Sequence, residues 1–99
     1  MTHEDIIKMQ IVELLDEIKG DLQITWDDDN TEINLTNYIE DGIEVLENDV
    51  GTSIDFEEDK MARGLLKTYV RYAWNKSEEF FIENNLERIL KLEIKYGKK

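Results

Sequence analysis

Apolar residues recur every three or four positions along most of this chain, and the chain contains no proline to interrupt such a pattern. Residues at this spacing share one face of an α-helix, so each run predicts a helix that buries one side. A proline inside a helix would remove a backbone hydrogen bond and clash with the preceding turn. The spacing therefore predicts an all-α fold, a small bundle of about four helices.

The first helix is predicted over residues 3–19. Thr2 and Asp5 have the three-residue spacing of a capping start, and Gly20 is typical of a helix end. Leu22, Ile24 and Trp26 then alternate with polar residues, which predicts a short extended connector. The apolar stripe of this helix consists of Ile7, Ile11, Leu14 and Ile18.

A run of three aspartates, Asp27–Asp29, stands before the second helix, which is predicted over residues 30–50 and ends at Gly51. A calcium loop of the EF-hand type that began at Asp27 would need glycine at its sixth position and glutamate at its twelfth. Glu32 and Tyr38 stand there, so we expect no calcium dependence. A catalytic carboxylate pair would need one desolvated acid. Because adjacent aspartates in a loop stay hydrated, we interpret the run as a helix start capped by Asp29.

The third helix is predicted over about 57–76, with Asp55 and Glu58 as its capping residues. Its apolar residues come in adjacent pairs, such as Leu65–Leu66 and Tyr69–Val70. A stripe two residues wide gives a helix a wide apolar face, so this helix is predicted to be the central one. The chain is predicted to form a single domain spanning residues 1–99. A last helical segment follows, with a bend near Asn84–Asn85. The predicted core contains Leu35, Ile39, Leu46, Leu65, Leu66, Tyr69, Val70, Ala73 and Trp74.

Charge is distributed unevenly along the chain, whose formal net charge is −12. Residues 27–60 hold thirteen acids against Lys60 alone, whereas residues 61–99 hold five acids and nine bases. An acidic body of this kind repels nucleic acid, and the basic C-terminal third remains available for an acidic protein partner. No apolar run approaches the roughly 18 residues of a membrane span, and the N-terminus lacks a signal-peptide pattern. We therefore expect a soluble, cytoplasmic protein without membrane contact.

Catalytic and cofactor motifs are absent from the sequence. The single histidine, His3, lies at the chain start, where a frayed residue is more common than a catalytic base. There is no cysteine, Gly-rich phosphate loop, zinc spacing or nucleophile elbow. Tyr69, Arg71, Tyr72 and Trp74 resemble an aromatic-basic patch for single strands, but Tyr69 and Trp74 belong to the apolar stripe. We expect a non-enzyme without metal or cofactor.

Three stretches together carry a resemblance to a known family: "DLQITWDDDNTEINLTNYIEDGIEVLENDVG", "IDFEED" and "ARGLLKTYVRYAWNKSEEFFIENNLERILKLEIKYG". Their order and spacing resemble the phage and prophage head–tail connector family of low-GC Gram-positive bacteria, over about residues 14–97. The matching features are the aspartate run, an "L…I" helix at 35–39, an "LLxxYVRYxxN" helix at 65–75 and an end near "L.L.YG" at 90–97. The first helix is longer than is usual in the family, so the role of residues 1–12 stays open.

The resemblance implies a structural virion protein that forms a ring under the portal vertex. Such a ring extends the DNA conduit and offers a docking surface for the tail or a stopper protein. The protein would lie at the head–tail junction of the virion, and in the host cytoplasm during assembly. An acidic surface along the conduit would let DNA pass without binding it. The candidate residues for that surface are Asp27, Asp28, Glu40, Asp41, Glu44 and Glu47.

The C-terminal segment, residues 86–99, is the candidate docking element toward the portal. It combines lysines with one amphipathic tyrosine, a residue type enriched at interfaces. We expect deletion of residues 91–99 to leave the core folded. The candidate contacts are Lys91, Lys95, Tyr96, Lys98 and Lys99. The lysines would equally suit an ordinary helix end. The alternative function is that of a monomeric acidic helical protein that mimics DNA or regulates a binding partner.

Overall fold

Helices account for all regular secondary structure in the computed structural model, which describes residues 2–26 and 28–97, apart from the side chains of His3 and Ile7. This confirms the predicted all-α class. The helices are α1 (His3–Asp21), α2 (Asp29–Val50), α3 (Lys60–Trp74), α4 (Phe81–Asn84) and α5 (Leu86–Lys95). A 3₁₀ turn (Glu78–Phe80) precedes α4, and the predicted bend lies at Asn85, between α4 and α5.

Local hydrogen bonds explain where α1 begins. The Thr2 hydroxyl accepts a hydrogen bond from the Asp5 N–H at 3.1 Å, and the Asp5 carboxylate accepts one from the Thr2 N–H at 3.5 Å. This is the reciprocal capping box that the sequence predicts. The predicted end at Gly20 is wrong, because α1 continues through Asp21 and closes at Leu22. A turn at residues 22–23 then leads into the connector, where Ile24 is buried.

The predicted caps of α2 and α3 are each displaced. Asp28, not Asp29, caps α2 by accepting from the Asn30 N–H. Asp59 caps α3 by accepting from the Ala62 N–H at 3.0 Å, so α3 starts later than predicted and Glu58 is not its cap. Asp55 instead accepts from the N–H groups of the turn that follows it. Several acids in a row can each cap a helix, and the path of the entering chain decides which one does.

The core lies mainly between α2 and α3, which pack closely along their length. Gly42 permits this approach, because a Cβ there would lie 2.6 Å from Leu66 Cδ1 and 2.8 Å from Tyr69 Cδ1. The predicted core is confirmed, with Tyr69 and Trp74 only partly buried against it. The fully or almost fully buried members are Leu35, Ile39, Leu46, Leu65, Leu66, Val70 and Ala73.

The remaining helices flank this pair. α1 packs on α2 and reaches α3 through ion pairs from Glu17 to Arg63 and Lys67, whereas α5 packs on both α2 and α3. α3 contacts its two neighbours on different sides. It pairs with α1 through Arg63 and Lys67, and it bonds to α5 through Thr68. α3 is therefore central, as predicted, but α5 is a partner that the sequence did not predict.

Candidate interaction surfaces

Two of the predicted portal contacts, Lys95 and Tyr96, bond to a residue of the same chain. The Tyr96 hydroxyl donates to Asp59 Oδ2 at 2.7 Å, and Lys95 Nζ lies 3.1 Å from Asp59 Oδ1. Burial, the largest influence on Asp59, raises its pKa, but the bonds from Ala62, Tyr96 and Lys95 together outweigh it and lower the pKa. Burial and the bond to Asp59 raise the pKa of Tyr96 to about 12. Tyr96, the predicted docking anchor, therefore has its hydroxyl engaged within the bundle.

The rest of the C-terminal segment is also part of the bundle. Ile89 and Leu92 are buried in the core, and Leu92 has no exposed surface. Residues 91–99 contribute Leu92 to the core, so, in contrast to the sequence-based expectation, we expect their deletion to disturb it. Lys91 is exposed and lies 3.6 Å from Glu87, one helical turn away. Lys98 and Lys99 lie outside the described residues.

An apolar stripe runs along the outer side of α4 and α5. Its members, Ile82, Leu86, Leu90 and Ile94, follow each other at four-residue spacing and are 42% to 72% exposed. Phe80 is exposed just before them, whereas its neighbour Phe81 is buried. The sequence marks Leu86, Leu90 and Ile94 as apolar helix residues but does not show that they face outward. We call these four residues the outer stripe.

The predicted acidic surface is only partly assembled. Glu40, Asp41 and Glu44 are exposed on the outer side of α2. Glu47 is half-buried and accepts a hydrogen bond from the Ile54 N–H at 2.9 Å, and Asp28 is engaged as the cap of α2. Asp27 lies outside the described residues. Three of the six predicted carboxylates therefore form a common exposed face.

A groove opens between the C-terminal end of α1 and one side of α3. Gly64, Lys67, Thr68 and Arg71 of α3 line it together with Ile18, Asp21 and Leu22 of α1. Arg88 of α5 reaches toward it and donates to Thr68 Oγ1 at 3.2 Å. We call this feature the α3 groove. The sequence shows basic residues in the C-terminal third but not that Lys67, Arg71 and Arg88 come together at one groove.

Ion pairs hold α1 against one side of the α3 groove. Glu17 accepts hydrogen bonds from Arg63 and from Lys67, which lower its pKa to about 2. Lys67 also lies 2.9 Å from Asp21 Oδ2, and its pKa is raised by the bonds to Asp21 and Glu17. Arg71 and Arg88 make no ion pair with any described residue. The groove therefore carries more positive than negative charge.

The aromatic residues of α3 pack inside the molecule. The rings of Tyr69 and Tyr72 both meet Phe81 edge to face, with centroids 5.2 Å and 5.9 Å away. Burial is the main cause that raises the pKa of Tyr69. Because the Tyr69 and Tyr72 rings contact Phe81, less of their surface is left open on which bases could stack.

The described residues contain neither a metal-binding cluster nor a membrane-spanning helix. Within residues 2–26 and 28–97, no three His, Cys, Asp or Glu side chains are grouped so that they could hold a metal ion. In the same ranges, no helix has the length and apolar character needed to cross a membrane. Comparison with protein-family models, curated proteins and solved structures found no match to this chain.

Proposed function

We propose that this chain is a structural subunit of a phage or prophage head–tail connector. In this role it forms a ring under the portal, extends the DNA conduit and offers a docking surface to the tail or a stopper protein. The observation that carries the proposal is the outer stripe. Single exposed apolar residues are ordinary, but a row of four over about three helical turns is typical of a protein interface. The sequence resemblance indicates which assembly this interface would belong to, the head–tail connector.

The portal-facing surface is the outer stripe together with Lys91 beside it. Lys95 and Tyr96 instead bond to Asp59 and hold α5 against the start of α3. Their role is to fix the position of α5, which carries most of the outer stripe. An interface with an apolar centre and charged residues at its rim is the usual arrangement for protein partners. The net charge of −12 disfavours contact with passing DNA, as a conduit requires.

The first test uses the portal protein encoded in the same genomic region. The wild-type chain should co-sediment with that portal and add a ring beneath it in electron micrographs. Leu90→Glu combined with Ile94→Glu places two charges in the outer stripe at exposed positions, so the fold should survive and attachment should be lost. Val12→Glu is the matched control, because Val12 is an exposed apolar residue on α1, outside the outer stripe.

Two results would contradict the proposal. One is attachment of the Leu90→Glu, Ile94→Glu double variant at wild-type levels. The other is a genomic region that encodes neither portal nor capsid proteins.

The acidic-mimic function has one observation in its favour, the exposed face of Glu40, Asp41 and Glu44 on α2. A mimic would stay monomeric and would displace DNA from a DNA-handling enzyme. A connector subunit would self-associate, alone or on the portal, and would leave such an enzyme bound to its DNA. Sedimentation of the chain, combined with a DNA-displacement assay, separates the two functions.

A further inference from the structure

The outward faces of α2 and α3 point in opposite directions. α2 turns Gly42 toward Leu66 and Tyr69 of α3. Glu40 and Glu44 stand two residues before and after Gly42, so each lies about 160° around the helix from it. By the same relation, Gly64 lies opposite Leu66, and Lys67 and Arg71 lie opposite Tyr69. One side of the molecule therefore carries the exposed carboxylates of α2, and the other side carries the α3 groove.

These two sides have complementary charge. Glu40 and Glu44 are exposed and form no ion pair with any described residue. On the other side, Arg71 is exposed, and the Arg88 guanidinium donates to two neutral oxygens, Thr68 Oγ1 and Asn85 Oδ1, both at 3.2 Å. Each side thus presents charged groups that form no ion pair with the residues that the structure describes.

Gly64, on the floor of the α3 groove, is a second and independent observation. Glycine inside a helix is destabilising relative to alanine, so its presence needs a reason. At Gly42 the reason is internal, because a Cβ would collide with Leu66 and Tyr69. At Gly64 the nearest atom to a Cβ would be an Arg88 guanidinium nitrogen at 3.5 Å, which is ordinary contact. Packing within the chain does not require this glycine, whereas close approach by another molecule would.

We propose that a second copy of this chain occupies the α3 groove with the outer face of its α2. Glu40 and Glu44 of one copy then meet Arg71 and Arg88 of the next, and Gly64 lets the two helices approach closely. Because the two surfaces differ and lie on opposite sides, the contact is head-to-tail and repeats from copy to copy, which closes a ring when the rotation between neighbouring copies permits it. The inference rests on the proposed connector function for the ring, and it places Glu40 and Glu44 between subunits rather than along the DNA.

Charge reversal of the full chain tests the contact by sedimentation velocity, from micromolar to millimolar protein. At about 150 mM salt the screening length is about 8 Å, so the repulsion between acidic copies is damped while contact pairs persist. Arg71→Glu alone and Glu44→Arg alone should each raise the concentration needed for self-association about tenfold or more. An equimolar mixture of the two variants should restore association, because each new charge then faces its opposite on the neighbouring copy. Lys8→Glu and Glu13→Arg make the same charge changes at exposed positions on α1 and should change nothing.

Gly64→Ala separates the contact from folding. It should raise the melting temperature of the chain, because alanine favours the helix, and it should weaken self-association. A wild-type chain that stays monomeric over the whole range would overturn the inference, as would reversals without effect or a mixture that is not restored. If rings still form in the charge-reversal variants, the proposed interface is contradicted but the connector function is not. If the mixture restores association but the chain does not attach to the portal, the connector function is contradicted but the interface is not.

Discussion

Asp59 joins three parts of the bundle, so its replacement by alanine should be costly. Its carboxylate caps α3 through the Ala62 N–H, accepts the Tyr96 hydroxyl and pairs with Lys95, and its side chain is 7% exposed. These contacts link the start of α3 to the end of α5. Asp59→Ala removes all of them at once and leaves the Tyr96 hydroxyl without its acceptor.

The expected loss follows from the separate contacts. A lost N-cap costs about 0.5–2 kcal/mol. A hydrogen bond to a charged acceptor is worth about 1.5–3 kcal/mol. The half-exposed Lys95 adds at most about 1 kcal/mol because solvent screens it. Since one carboxylate makes all three contacts, the losses do not add fully, and we expect Asp59→Ala to lower the free energy of unfolding by about 2–4 kcal/mol.

Thermal and urea denaturation at pH 7 measure this loss, with Glu58→Ala as the control. Glu58 is the exposed neighbouring acid, so its removal should change stability by less than about 0.5 kcal/mol. Tyr96→Phe removes only the bond to the Asp59 carboxylate and should cost about 1.5–3 kcal/mol. Equal stability of the Asp59→Ala and Glu58→Ala variants would refute the role of Asp59 in joining α3 to α5.

The pH dependence of Asp59 has a definite sign. The folded chain lowers the pKa of Asp59, so the ionised carboxylate stabilises the fold above its unfolded pKa of about 3.9. That contribution is lost as the pH falls through the folded pKa. The difference between wild type and Asp59→Ala should therefore shrink below about pH 4. A difference that stays constant to pH 2 would contradict this account.

Four further predictions concern other parts of the bundle. Gly42→Ala should destabilise the chain by about 1–3 kcal/mol in urea denaturation, because overpacking against α3 outweighs the helix gain; a stabilised variant would refute the close contact. Asp28→Ala should lower the free energy of unfolding by about 0.5–2 kcal/mol as a lost cap, and Asp29→Ala by clearly less. A larger loss for Asp29→Ala would identify Asp29 as the cap, as the sequence predicts. Glu17→Gln should cost about 1 kcal/mol at pH 7, since Glu17 is 38% exposed and its pairs are screened. Its lowered pKa means that this contribution is present above about pH 4.5 and lost toward pH 2, which denaturant midpoints across that range would show. Deletion of residues 91–99 should lower the melting temperature, because burial of a leucine such as Leu92 is worth about 1.5–3 kcal/mol. An unchanged melting curve would show that the segment is not needed for the core and would favour a separate docking role.

Periodicity and local chemistry determined most of the secondary structure. The apolar spacing predicted α1, α2 and α3 and the core between α2 and α3, because burial of one helix face depends on residues close in sequence. The start of α1 was also predictable, since both partners of its capping box lie within three residues. The caps of α2 and α3 were misplaced by one residue or a few, because adjacent acids offer the same local chemistry.

Only the tertiary structure decided which side of α5 faces the core. Apolar residues occur on more than one side of that helix, so spacing alone does not separate the buried Ile89 and Leu92 from the outer stripe. The Tyr96–Asp59 bond joins residues 37 positions apart. Gln10 donates to Asp55 and accepts from the Phe56 N–H in the loop before α3, across 45 and 46 positions. The α3 groove likewise combines residues from α1 and α3, with Arg88 of α5 bonded to Thr68 at its side. Such contacts depend on how the helices pack against one another, and a local sequence pattern carries no information about partners that distant.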